Sequence, residues 1–281
     1  MNRICAMGVL LAAGAPGMVR GAFEERPFSA RSAALGEAAV ASPGGGDAPY
    51  ENPAGLASSD RFEVGLGHTD LLGMPEMPRN TVSAVAPGRG RVGWGMYGVD
   101  FGSSLYRERE VGLAAGGSLD PSSALGVILK GQQMSVERYG RAAAWQMDVG
   151  WLGRPVPLLG LGFVVRNATQ SRFRGLPDKS AAVFQAGARF DFWNGAPAFL
   201  ALRRGADGSG DWRWGQEILI RSSAIFRMGY CSSPARWALG WGFAFSQWSM
   251  DYAFLTHPKL PDQHQFNLTW RGPRRLRSPS K

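Results

Sequence analysis

The chain is 281 residues long, rich in glycine (39) and tryptophan (10), with 19% charged residues and a formal net charge of +9. A Gly-rich, Trp-rich, charge-poor chain with no long apolar run after its first residues argues against a helical membrane protein and suits a membrane barrel. The charge does not mark a nucleic-acid binder. Arg3 and Arg20 lie at the start, and Arg271, Arg274, Arg275, Arg277 and Lys281 at the end. Without these seven, residues 22–270 hold 24 basic against 22 acidic side chains.

Met1 to Ala22 carries a cation at Arg3, an apolar stretch from Ile4 to Ala15, and small residues at Gly17, Gly21 and Ala22. That is the layout of a secretory signal peptide cut after Gly21 or Ala22, and the run is too short to span a bilayer. Residues 1–22 are therefore expected to be removed on export. Cys5 falls in this region, which leaves Cys231 without an intramolecular disulfide partner and reads it as a small packing residue.

The stretch that follows, residues 23–60, differs from the rest. Ser29 to Ala41 is alanine-rich without alternation and predicts a short helix. A loop, Ser42-Pro43-Gly44-Gly45-Gly46-Asp47-Ala48-Pro49, leads to Asn52-Pro53-Ala54-Gly55-Leu56-Ala57. Pro53 forces Asn52 out of the helical region, and the Asn side chain can bond back to its own turn. Gly55 permits close backbone approach or positive φ. Such a knot suits a segment held inside a lumen, and equally an ordinary turn before a strand.

From residue 61 to 270 the chain alternates with period two. In Arg236 to Gln247, Trp237, Leu239, Trp241, Phe243 and Phe245 share one face, and Ala238, Gly240, Gly242, Ala244 and Ser246 the other. The segments around Trp145–Trp151, Leu159–Arg166, Val183–Phe192 and Gln265–Trp270 repeat the pattern. Several runs reach about nine residues, the length a tilted strand needs to cross hydrocarbon. A soluble sandwich would place charges on its second face; here that face is glycine, alanine and scattered polar groups. Turn signals such as Ala86-Pro87-Gly88, Asp120-Pro121-Ser122 and Ser232-Ser233-Pro234 divide the runs into twelve to fourteen strands, with little length left for long external loops. The expected fold is all-β: a closed antiparallel transmembrane barrel of about 12–14 strands. Residues 271–281, with two prolines and five cations, cannot join a ladder or enter hydrocarbon, so they predict a basic disordered tail.

Chemical motifs are weak. Gly88-Arg89-Gly90-Arg91-Val92-Gly93 has the letters of a dinucleotide loop but opens a strand. Asp207-Gly208-Ser209-Gly210-Asp211 lacks a closing bidentate acid and reads as a hairpin turn. His68, His257 and His264 have no metal-ligand spacing, and no nucleophile–base pair is visible, so neither an enzyme nor a cofactor or metal is expected. Arg166, Arg189, Asp191, Glu217, Arg221 and Asp251 lie on strands. If their apolar neighbours face lipid, these six are candidates to line the lumen, either as charge-satisfying ion pairs or as a polar conduit.

The Ala-rich helix, Asp47-Ala48 and Asn52-Pro53-Ala54-Gly55-Leu56-Ala57 resemble the opening segment of the PorV/PorQ group, related to FadL-type outer-membrane transporters. Met250-Asp251-Tyr252-Ala253-Phe254 and His264-Gln265-Phe266-Asn267-Leu268 are similar to that group's last strands. The chain departs from the group at Gly36-Glu37-Ala38, where two glycines are usual, and at Pro261-Asp262. The resemblance implies a barrel of about fourteen strands in the outer membrane of a Gram-negative-type bacterium. It also implies that residues 23–60 fold inside as a hatch built on Asp47, Asn52, Pro53 and Gly55. Two functions follow from it: a conduit for a hydrophobic or small amphipathic solute gated by the hatch, or a PorV-like component of protein export or surface attachment. The implied partners are the lipid bilayer, the barrel-assembly machinery and, for the second function, secretion-system proteins.

Overall fold

The computed structural model describes residues 23–71, 74–88, 92–173, 180–206 and 208–274. The expected signal peptide (residues 1–22) and residues 275–281 of the tail lie outside them.

Fourteen strands form the wall: β1 Glu63–Asp70, β2 Arg79–Pro87, β3 Val92–Gly102, β4 Tyr106–Asp120, β5 Ser123–Val136, β6 Gly140–Val156, β7 Leu159–Arg166, β8 Val183–Phe190, β9 Ala198–Gly205, β10 Gly210–Arg221, β11 Ala224–Ser232, β12 Ala235–Phe245, β13 Trp248–Leu255 and β14 Gln263–Arg271. Each pairs antiparallel with its neighbours in sequence, and β14 closes on β1 from Glu63↔Arg271 to Asp70↔His264. Closure gives every strand two partners, which is what a sheet needs in a medium that offers no hydrogen bonds. Among the described residues no helix is long and apolar enough to cross a membrane.

The alternation sorts the faces as the sequence predicts. On β12, Trp237, Leu239, Trp241 and Phe243 point outward and exposed, while Ala238 is buried inward. The same outward apolar band continues through Trp94, Leu113, Leu129, Trp145, Leu202 and Phe266. Large apolar groups outside and small or polar groups inside is the reverse of a soluble barrel, and it fits an outer-membrane barrel. At one end lie the start of β1 and the end of β14, with two-residue turns such as 121–122, 157–158 and 222–223; the opposite, distal end carries the longest connection, residues 167–182. The barrel rim is uneven. β6 pairs with β7 only from Val149 onward, so its first residues stand above β7 at the distal end.

The centre of the molecule is the N-terminal segment, threaded through the lumen. It contains helix α1 (Ala30–Ala34), a 3-10 turn at Ala39–Ala41, helix α2 (Ala48–Glu51) and a 3-10 turn at Pro53–Ser58. The helix expected over Ser29–Ala41 is cut to five residues. Ser29 caps it through its hydroxyl, which accepts from Ser32 N, but Gly36 and Glu37 then take φ of 60° and 62° and break it. The chain turns there against β11, where a Cβ on Gly36 would lie 2.7 Å from the Tyr230 backbone. Phe28, Leu35, Leu56 and Ile128 are all but fully buried where segment and wall meet, each side chain contributing about 1.5–3 kcal/mol relative to exposure.

Glycine on the inner wall makes the fit possible. A Cβ on Gly116 would lie 2.1 Å from the Pro53 carbonyl oxygen, on Gly126 2.3 Å from the Pro53 carbonyl carbon, and on Gly150 2.2 Å from Asn52 Oδ1. Under Leu35 and Gly36, Gly215 and Gly229 do the same. The small face that alternates with the aromatics is a bed for the segment's backbone.

Candidate functional site

Asn52 is the centre of the segment's attachment. It is fully buried; its Nδ2 donates to the carbonyls of Val40 (3.0 Å) and Trp151 on β6 (3.2 Å), and its Oδ1 accepts from Ala54 N (3.2 Å). Three of its four amide bonds thus tie together two stretches of the segment and the wall. Pro53 follows as the first residue of the 3-10 turn, where a missing N–H costs nothing. Gly55 is required by close approach rather than by positive φ, since a Cβ there would meet Pro43 Cγ at 2.4 Å. Asp47 accepts from the Ser29 hydroxyl at 2.8 Å. Burial, reinforced by the Glu51 and Asp251 carboxylates and opposed by Arg31 and Ser29, raises the Asp47 carboxyl to about 7.

Ion pairs join segment to wall along its length. Arg31 Nε meets Glu217 Oε1 on β10 at 2.9 Å, and Arg227 on β11 meets the same oxygen at 2.9 Å and Asp251 on β13 at 2.6 Å. Glu37 lies between Arg213 (3.0 Å) and Arg236 (3.1 Å), which hold its carboxyl below the ordinary range against the effect of burial. Arg166 on β7 donates to the carbonyls of Tyr50 (2.8 Å) and Glu51 (3.2 Å), and its guanidinium lies over the Tyr50 ring at 5.1 Å. Glu25 pairs with Arg203 at 3.0 Å. On β14, Gln265 donates to Phe28 O (3.1 Å) and Asn267 accepts from Ala30 N (2.7 Å). Left on their own in a lumen, such charges would be costly; here nearly every one has a partner.

Among the described residues, cavities lie on both sides of the segment. A cavity of about 40 Å³ opens at the distal end, lined by Phe23, Tyr50, Val99 and Phe101 beside Glu25, Arg26, Arg79, Lys130, Gln132 and Arg166. Arg26 Nη1, Gln132 Oε1 and Asn167 Oδ1 have no hydrogen-bond partner here, and Glu25 Oε1 meets Arg166 Nε only as an ion pair at 3.7 Å. A second cavity of about 40 Å³ at the terminal end is lined by Asp47, Arg31, Asp251, Glu63 and Asn267. Each has room for a water or two. Among the described residues no group of His, Cys, Asp and Glu is placed to hold a metal.

Of the six strand charges singled out from sequence, five face inward or the inner rim. Arg166, Glu217 and Asp251 sit in the ionic seat. Arg189 donates to Ser42 Oγ (2.8 Å) and pairs with Asp191 (2.8 Å), which also meets Arg154 at 3.1 Å on the terminal rim. Arg221 is not brought to the lumen. It is the last residue of β10, exposed, past a register irregularity between Leu219 and Arg221, so alternation no longer fixes its side. Sequence reading missed Glu25, Arg31, Glu37, Arg213 and Arg227. The signal for Arg213 and Arg227 was present: each interrupts an outward aromatic or apolar run, Trp212 to Trp214 and Phe226 to Met228, on the inward parity.

No family model matches the chain, and no curated protein does. Solved structures do resemble it. The Pseudomonas putida toluene transporter TodX aligns at 11% identity with a TM-score of 0.62, covering 88% of this chain and 98% of that one. A Pseudomonas aeruginosa FadL homologue aligns at 11% identity and TM-score 0.56, covering 85% and 97%. The CymD monoaromatic hydrocarbon channel aligns at 13% identity and TM-score 0.56, covering 80% and 91%. The chain thus shares its fold with a toluene transporter, a FadL homologue and a monoaromatic hydrocarbon channel.

Proposed function

We propose that this protein is an outer-membrane conduit of FadL type that passes a hydrophobic or small amphipathic solute, with residues 23–60 as a hatch whose movement opens the lumen. The observation that carries the reading is the placement of the segment: it lies between a distal cavity and a terminal one, held by ion pairs and hydrogen bonds as well as by apolar packing. The distal cavity combines aromatic rings (Phe23, Tyr50, Phe101) with the amide oxygens of Gln132 and Asn167, which accept no hydrogen bond from the protein, and this suits a solute having both an apolar body and a polar head. The likeness to a toluene transporter and a hydrocarbon channel supports transport of small apolar or amphipathic molecules.

The test is solute flux into proteoliposomes. Replacing Asp47 and Asn52 together with Ala removes the anchor of two backbone stretches, and flux of a small amphipathic probe should rise several-fold with the barrel still shifting on unboiled gels. Unchanged flux in an assembled variant would remove the hatch from the mechanism. The small size of both cavities is the observation that favours the second reading, a permanently plugged PorV-like barrel serving protein export or attachment. That reading requires no flux in either form, and co-purification of secretion-system components with the intact barrel.

A further inference from the structure

The outer wall carries a charge pattern that the lumen does not use. On the distal half of the strands, outward parity is set by the exposed Val111 and Leu113 on β4, Leu129 on β5 and Trp145 on β6. The same parity places Arg107 and Arg109 on β4 and Arg141 on β6 outward, above that apolar band. The register sets them side by side: Arg107↔Ser135↔Arg141 across three strands, and Arg109↔Gln133 one step lower. Adjacent strands are roughly 4.8 Å apart, so Arg107 and Arg141 stand roughly 10 Å apart with the Ser135 hydroxyl between them. Both long side chains can close on one group above that serine.

The neighbouring charges do not neutralise the row. Asp100 on β3 meets Arg109 at 3.0 Å and Arg107 at 3.7 Å, and the turn above adds one acid, Glu137, and one cation, Arg138. Arg107 and Arg109 keep 41% and 56% of their side-chain surface open. Elsewhere on the described strands the only outward distal cation is Arg204 on β9, alone. The outward distal residues of β11 to β14 are Tyr230, Ser232, Ala235, Trp237, Tyr252, Phe254 and His264. A cationic row directly over an apolar wall is amphipathic in the same sense as a lipid.

We propose that the outward distal face of β4, β5 and β6 binds the phosphate of an anionic glycolipid headgroup in the outer leaflet. The guanidinium groups of Arg107, Arg109 and Arg141 clamp the phosphate, and the acyl chains lie over Val111, Leu113, Leu129 and Trp145. Planar guanidinium forks suit phosphate oxygens, and interfacial cations attract anionic lipid even when solvated. The distal end is the outer one because short turns crowd the opposite end, as on the periplasmic side of such barrels. The inference rests on outer-membrane placement but not on transport.

The test is native mass spectrometry of the full chain in detergent, with diphosphorylated lipid A and its dephosphorylated form as probes. The phosphorylated lipid should be retained about tenfold better or more. R107Q/R109Q/R141Q should lose that preference, and R204Q should keep it, with assembly of each variant checked by its heat-shifted gel mobility. Equal retention of both lipids by the unaltered protein would overturn the proposal without requiring any variant to fold. So would a triple variant that behaves like R204Q. Displacement of the lipid by inorganic phosphate at similar concentration would show a plain anion site and overturn the lipid assignment. In the unaltered protein, retention of lipid without any phosphate preference refutes the clamp but leaves membrane placement intact; solubility without detergent would remove both.

Discussion

Gly150 gives a sharp test of the bed on which the N-terminal segment lies. An alanine there would place its Cβ 2.2 Å from Asn52 Oδ1 and 2.8 Å from Pro53 Cδ. Neither is the end of a flexible side chain: Asn52 is held by three hydrogen bonds and Pro53 by its ring. The segment must lift by about an ångström, the difference between that contact and an ordinary one. Lifting strains or breaks the bonds from Nδ2 to Val40 O and Trp151 O and leaves a buried amide short of partners, at about 1–3 kcal/mol. Overpacking adds a similar amount. The wall itself pairs normally at this point, Gly126↔Gly150↔Val164, so barrel closure is untouched. G150A should therefore assemble, melt several degrees lower and pass more solute. The control is G131A on the lipid face, where the new Cβ meets only the Trp145 ring at 3.3 Å. Heat-modifiability and proteoliposome flux are the assays. If G150A matched G131A in both, the contact between inner glycines and the segment would carry no energetic weight.

Two further predictions follow from the ionic seat. Glu37 holds φ at 62°, which costs a non-glycine residue about 1–2 kcal/mol, yet its carboxylate joins Arg213 and Arg236; E37G relieves the backbone but leaves Arg236 without its carboxylate and Arg213 with Asp211 alone, at about 3–5 kcal/mol, so it should lower the melting temperature of the assembled barrel rather than raise it. Asp47, whose neighbours are Arg31, Glu51, Ser29 and Asp251, has a folded pKa of about 7 against an ordinary 3.8, so the seated segment binds the extra proton and its seat weakens as pH rises from about 4 through 7. Flux should accordingly increase between pH 5 and pH 8, and D47N should flatten that dependence, whereas a pH profile identical in D47N would place the titrating group elsewhere.

How much of this was readable beforehand differs by level. The barrel was legible because lipid selects one face of every strand, and that selection leaves Trp237, Leu239, Trp241 and Phe243 spaced by two. Strand number came out at the upper end of the expected range. Asn52 and Pro53 were legible as a knot because the Asn-Pro pair restricts the backbone locally. What the knot binds was not: the Trp151 carbonyl and the glycines at 116, 126 and 150 are far away in sequence, and no local rule joins them. The short helix expected within Ser29–Ala41 is there, but where it ends was not legible, for the same reason. Alanine favours a helix locally, but Tyr230, whose backbone would lie 2.7 Å from a Gly36 Cβ, sets where the chain must turn. Glu37 is the most telling miss. It stands where the resembling group has a second glycine, and the exchange makes sense only once Arg213 and Arg236 are seen on the wall opposite. Arg221 shows the converse: parity is a reliable guide within a strand and stops being one at a register shift.

The partners of the inner charges bear on what the lumen is for. Lys130–Asp148 (2.8 Å) and Arg227–Asp251 (2.6 Å) join strand to strand and would persist if the segment left. Arg31–Glu217, Glu37 with Arg213 and Arg236, Glu25 with Arg203, and Arg166 on the Tyr50 and Glu51 carbonyls join segment to strand. These contacts differ in kind from an apolar seal. Burying an ion pair nearly breaks even against leaving both charges in water, so a wetted lumen can replace these pairs at small net cost. The apolar contacts of Phe28, Leu35, Val40, Tyr50 and Leu56 set the remaining cost, on the order of 10 kcal/mol among them. A plug meant to be permanent would gain more from a leucine-lined bore. The polar seat can therefore exchange with water on a wall that keeps its own ion pairs, and any opening must be met from the apolar contacts, which single out Phe28, Leu35 and Leu56 as the positions whose truncation to Ala should raise flux most.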